Sequence, residues 1–215
     1  KNSEQIIEFI DSSASEHKIS LLLSFIKVSL YSKNLQSLIE YALKLIVEDT
    51  GYFPKAKDYA ELAEALRGQD INISELKKII AKFDSQITLL KNKSVTRDWT
   101  RLSCAISCSE SKFDKKKAFE RIIEIYYDLS EISNHEIKAE CYARIIYALK
   151  IVDSDGDFEK EEKIRELITA ELQTSIEELI KNTVSQYECI EHILPAIAEY
   201  DVENAIILSS KLNTS

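Results

Sequence analysis

Glycine and proline are scarce, with Gly 3 and Pro 2 in 215 residues. Strands and tight β-turns draw on those residues often, whereas helix interiors exclude them. Their scarcity points to an all-α fold before any pattern is read. With Gly 3 in all, a glycine-rich phosphate-binding loop cannot be built. No apolar run has the length of a membrane span, since Leu21 to Leu30 is interrupted by Ser24, Lys27 and Ser29. No signal peptide is recognisable, so a cytoplasmic protein is expected. Positive charge is in the minority, with Lys+Arg 28 against Asp+Glu 37 and a formal net charge of −9. An acidic chain repels phosphate backbones, which disfavours nucleic acid as a partner. The densest basic run, Lys112, Lys115, Lys116 and Lys117, reads as a solvated helix start.

What is present fits a soluble helical protein. Apolar residues make 45% and charged residues 30%, enough to bury a core. The most informative stretch runs from Tyr187 to Leu212, with an apolar helix, a hinge at Tyr200-Asp201 and a second apolar helix. Asp201 is placed to cap the second helix, and Ala205 is small enough for close helix approach. The same grammar occurs earlier. Glu140 to Asp153 (ECYARIIYALKIVD) aligns without a gap on Glu188 to Asp201 (ECIEHILPAIAEYD). Phe113-Asp114, with Ala118 four residues after the Asp, repeats Tyr200-Asp201 with Ala205. Recurring helical hairpins mark a stacked repeat protein.

Helix starts are signalled by capping boxes at Asn2, Ser13, Asn72, Ser133 and Thr174, and by Asn34 and Asp114. Breaks are expected at Asp49 to Pro54, at Gly68, near Asp84-Ser85, at 92–94 and near Thr174. The predicted hairpins span 16–48, 57–92, 96–130, 134–182 and 187–212. Their first helices begin near residues 16, 57, 97, 135 and 187, a spacing close to the period of about forty residues of helical-hairpin arrays. The expected fold is therefore an all-α, right-handed α-solenoid of about five antiparallel hairpins, TPR-like or HEAT-like. Residues 1–215 are expected to form a single helical-repeat domain, a fragment of a longer protein.

Chemical motifs are thin. Asp153-Ser-Asp155-Gly-Asp157-Phe158 with Glu162 resembles a calcium loop when Gly156 takes the sixth position. The first ligand position then falls on Ile151, which cannot coordinate. Asp153, Asp155, Asp157 and Glu162 are thus weak metal candidates, and an acidic turn between helices is the simpler reading. The same segment looks like the helix–acidic turn–helix of tellurite-resistance TerB-like domains. Cys189 and His192 share a helical face, and Cys104 and Cys108 another, but structural zinc needs four convergent donors. The cysteines read as reduced and mostly buried. His17, His135 and His192 belong to no catalytic motif. No cofactor and no catalytic residue are assigned, and no enzyme activity is expected. Tyr126, Tyr127, Tyr142, Tyr147 and Trp99 are candidates either for a binding groove or for core packing.

The segment Ala196 to Ile206 (AIAEYDVENAI) resembles the degenerate tetratricopeptide-like arrays of large bacterial signalling proteins, such as the C-terminal sensor regions of STAND-type NTPases. The resemblance implies a protein-binding sensor or scaffold segment of a signalling or antiviral defence protein, with any NTPase or effector activity outside this chain. The partner expected is a protein. A TerB-like or calcium-responsive regulatory domain and a helical enzyme with an unmarked site are the alternatives.

Overall fold

The computed structural model describes residues 3–13, 17–28, 35–48, 54–67, 69–91, 96–153, 159–181 and 193–198, and positions 202, 205, 206, 209 and 210. Among them every regular element is a helix and no strand occurs. The helices are α1 (Ser3–Asp11), α2 (Lys18–Val28), α3 (Leu35–Glu48), α4 (Pro54–Arg67), α5 (Ile73–Lys91), α6 (Thr96–Glu110), α7 (Lys115–Leu129), α8 (His135–Val152), α9 (Glu159–Ile180) and α10 (Leu194–Ala198). The chain divides into two compact units, Lys1–Ser109 and Glu110–Ser215.

In the first unit α2 packs on α3 and α4, α3 on α4, and α1 on α2 and α3. The apolar stripes supply this core. Leu22, Leu23 and Ile26 of α2 and Leu38, Ile39, Ala42 and Ile46 of α3 are all buried where these helices pack. Polar groups pin the ends. The Tyr41 hydroxyl donates to the Asp11 carboxylate. Gln69, just beyond α4, is buried and donates from Nε2 to the Ile26 carbonyl at 3.1 Å. Tyr59 of α4 meets Phe83 of α5 edge to face at 5.9 Å. The bidentate Arg101–Glu64 contact, at 2.7 and 2.5 Å, ties α6 to α4.

In the second unit α8 packs against α7, α9 and α10. It is buried almost all round: Ala139, Glu140, Cys141, Tyr142, Ala143, Ile145, Ile146, Ala148, Leu149 and Val152 are all inside. A helix apolar on one stripe needs one partner, and a helix apolar all round needs several. In the first unit α6 is also buried along most of its length, but with small polar residues. Thr100, Ser103, Ser107 and Ser109 are interior beside Leu102, Ala105 and Ile106.

Several helix boundaries differ from those read in the sequence. α4 starts at Pro54 rather than near Lys57, because proline lacks the N–H that a first helical turn leaves unbonded. Ser13 donates its hydroxyl back to the Phe9 carbonyl of α1 at 3.0 Å, and residues 14–16, which its expected cap would serve, lie outside the described residues. The cap of α8 is Asn134, not Ser133: the Asn134 Oδ1 accepts from the Ile137 N–H at 3.0 Å. α5 runs unbroken through Asp84-Ser85, and the Ser85 hydroxyl donates to the Lys82 carbonyl at 2.7 Å. α9 runs unbroken through Thr174, whose hydroxyl donates to the Ala170 carbonyl at 2.9 Å. Both hydroxyls bond back along their own helix and so are not used as caps. The caps at Asn72 and Asp114 are present as expected, accepting from the N–H groups of Ser74 at 2.8 Å and Lys117 at 3.0 Å. Asn2, Asn34, Gly68, Cys189, His192 and the Tyr200-Asp201 hinge lie outside the described residues.

Candidate functional site

The acidic turn is the first place to look. Asp153 ends α8, where its N–H donates to the Leu149 carbonyl at 2.9 Å and its side chain is buried. Ile151, at the first calcium-ligand position, is half-buried within α8. Asp155 and Asp157 lie outside the described residues, and Glu162 is described only as backbone in the first turns of α9. No group of three or more His, Cys, Asp or Glu able to hold a metal occurs among the described residues. Cys104 and Cys108 sit one turn apart on α6, and both are buried thiols, as is Cys141 on α8.

Two ionic clusters, one around a buried carboxylate and one part-buried, have a different character. Glu110, at the end of α6, is 0% exposed. Arg121 Nε reaches it at 3.1 Å and Lys117 Nζ at 2.7 Å. The partners come from the first two turns of α7, so Glu110 anchors the start of that helix. In the other unit, Arg101 also lies 3.7 Å from Glu61. Burial raises the Asp98 carboxyl above its ordinary value, against the lowering pull of Arg101, Lys57 and Arg97. In these clusters each guanidinium is committed to a carboxylate, so they read as structural clamps. The lysines at the start of α7 are engaged too: Lys116 is 3.9 Å from Glu120, and Lys112 and Lys115 have interactions of their own.

The aromatic residues divide clearly. Tyr142 is 1% exposed and Trp99 9%, so both are core. Tyr126 and Tyr147 are half-buried, while Tyr127 is 65% exposed. Three of them form a chain from interior to surface. Tyr142 on α8 lies 6.3 Å from Tyr126 on α7, centroid to centroid, and Tyr126 lies 5.6 Å from Tyr127. Both pairs are tilted, at 47° and 51°. The charge of the exposed Glu171 of α9 acts on two of these phenols. Burial pushes the Tyr142 hydroxyl up to about 12, and the negative charge of Glu171 adds to the shift. The same two causes raise Tyr126. Leu167, 50% exposed, lies one turn before Glu171 on α9.

Two helices thus bring together an exposed phenol ring, a half-buried one and a buried one, and the charge of Glu171 on α9 acts on the two inner phenols. The tyrosines were visible in the sequence as a candidate group. Glu171 was not, because a glutamate in an acidic helix is unremarkable until its neighbours on another helix are known. Aromatic faces beside a carboxylate can hold a cation or an apolar side chain with a polar tip. Nothing in the cluster supplies a nucleophile with a base.

No protein-family profile, curated protein or solved structure matches the chain.

Proposed function

We propose that this chain is a protein-binding helical module, a ligand-sensing or scaffold segment, and that it carries out no chemical step of its own. The observation that carries the reading is the exposure of large apolar and aromatic side chains on well-packed helices. Tyr127 and Leu167, at 65% and 50% exposed, stand on α7 and α9, both of which pack on α8. Exposed aromatics on a rigid framework act as anchors in protein interfaces, where they bury much area at little entropic cost. Val202 and Ile206, at 60% and 63% exposed, add a second apolar pair at helical spacing, with Ala205 buried behind them.

The finer reading is a right-handed solenoid of TPR-like hairpins, working in the cytoplasm as the sensor segment of a larger signalling protein. Its support is the sequence grammar of Asp114 with Ala118 and Asp201 with Ala205, and the spacing of the helix pairs. Solenoids present extended faces built from one helix of each pair, which suits recognition of a protein. The acidic charge of −9 favours a partner with a basic patch.

The test is affinity capture from a lysate of the source cell, followed by charge reversal on successive helix pairs. Loss of the partner confined to one continuous face supports the module. Failure to retain any protein, together with turnover of a small molecule by the purified chain, refutes it.

A further inference from the structure

We propose that the exposed C-terminal half of α7, with Tyr127 at its centre, docks a lysine- and arginine-rich segment of a protein partner. The proposal rests on the reading of this chain as a protein-binding module, and gives that module a contact surface and a partner chemistry.

Charge runs the wrong way along α7. Aligned peptide dipoles leave the first turn of a helix positive and the last turn negative, so anions are favoured at the start and cations at the end. Asp114 at the cap obeys this rule. The body of the helix reverses it. Lys115, Lys116 and Lys117 open the helix, and no basic residue stands in its last turn. From Ile122 to Asn134 the charged residues are Glu124, Asp128 and Glu131, all acidic and all exposed. The lysines at the start find partners: Lys116 lies 3.9 Å from Glu120, and Lys117 lies 2.7 Å from Glu110. Among the described residues no ion pair of Glu124 or Glu131 is found. The negative pole of the helix thus coincides with uncompensated carboxylates. That arrangement disfavours the free chain, and a cation supplied from outside offsets it.

The register of α7 itself sets the carboxylate beside an aromatic ring. Tyr127, 65% exposed, stands one turn after Glu124 and next to Asp128, and Glu131 follows in the turn beyond Leu129. Residues three apart on a helix are neighbours, with about 5–6 Å between their Cβ atoms. Tyr126 lies against Tyr127 at 5.6 Å and 51°, and Tyr142 of α8 lies 6.3 Å from Tyr126. A ring braced in this way loses little freedom on binding and presents a negative face to a cation. The stems of lysine and arginine can cover the ring while their charged heads reach the carboxylates around it. A partner rich in phosphate, whether nucleic acid or an anionic membrane, meets like charge on this surface.

The experiment titrates the whole chain with an octalysine peptide, and with its fully acetylated neutral counterpart, by calorimetry at physiological salt. Binding of the cationic peptide alone is expected. Tyr127→Ala should weaken it by about tenfold. Glu124→Gln combined with Glu131→Gln should weaken it by about 3- to 20-fold. Glu8→Gln combined with Asp70→Asn removes two exposed carboxylates from the other unit and should change affinity by less than about twofold. The free chain supplies a second readout. With Glu124 and Glu131 neutralised, it should unfold in urea at the native midpoint or above it, because the charge at the helix end is relieved. A lower midpoint would assign these carboxylates to the fold and overturn the surface. Equal weakening by the two double variants, with no effect of Tyr127→Ala, would reduce the interaction to bulk charge and overturn it too. Absence of octalysine binding overturns it as well. So does a chain that dimerises until Tyr127 is replaced, which would make a second copy the occupant. A captured partner that survives Tyr127→Ala and the Glu124, Glu131 variant overturns this surface and leaves the module intact. Octalysine binding that responds to these variants, without any captured protein, does the reverse.

Discussion

Glu110 has no exposed surface, and two cations meet it from the start of α7. Taking a carboxylate out of water is costly, and only close partners offset that cost. Removing the acid would strand Arg121, which is only 14% exposed, while Lys117, at 50%, can turn to solvent. Glu110→Ala is therefore expected to cost about 3 kcal/mol of folding stability, the low end for a broken buried pair. A denaturant midpoint equal to that of the native chain would show the cluster to be idle. The buried alanines make the opposite prediction. Ala148 is 0% exposed and Ala205 7%, so leucine at either position must overpack. Each should cost about 1–3 kcal/mol, Ala148→Leu the more. Equal midpoints in urea would contradict the close helix approach at both places. Tyr142 adds a pH signature. Its hydroxyl is held up to about 12, above the ordinary phenol value, so the folded state keeps a proton that the unfolded state releases first. The stability this provides is complete below pH about 10 and is lost as pH rises through about 12. Tyr142→Phe should flatten that alkaline decline, as read by thermal melts across the range.

Helix ends were legible where one residue decides them. Asp114 was expected to cap α7 and does so, with Ala118 buried one turn on. The cap of α8 was misplaced by one residue because Ser133 and Asn134 are both good caps, and sequence alone does not rank neighbours. Asn134→Ala should cost about 1 kcal/mol and Ser133→Ala little. The reverse order in a denaturant series would restore the serine. Breaks at Ser85 and Thr174 were not legible. A hydroxyl that can cap a helix can equally bond back to a carbonyl three or four residues earlier, and burial of the flanking residues decides between the two. Phe83 and Ile87 are buried on either side of Ser85, and Leu172 and Ser175 on either side of Thr174, so packing carries both helices through. In α6 the apolar Trp99, Leu102, Ala105 and Ile106 are interior, as their helical spacing would place them. The interior placement of Thr100, Ser103 and Ser107 was hidden because small polar residues pattern like surface.

At the scale of the molecule, the all-helical class followed from scarce glycine and proline and from the recurring capping signals. Both are local properties, so no tertiary knowledge was needed. The candidate site was only half legible. Tyr126 and Tyr127 are adjacent in sequence, but the approach of Tyr126 to Tyr142 of α8 crosses between helices, and such pairing leaves no mark in one chain. The central claim is that this surface meets a protein. Hydroxyl-radical footprinting of the chain, alone and with its captured partner bound, tests it most directly, because exposed tyrosine and leucine side chains oxidise readily. Tyr127 and Leu167 are expected to lose most of their reactivity on binding, while Phe9 and Val28 on the other unit keep theirs. Unchanged oxidation of Tyr127 and Leu167 in the complex would contradict the account.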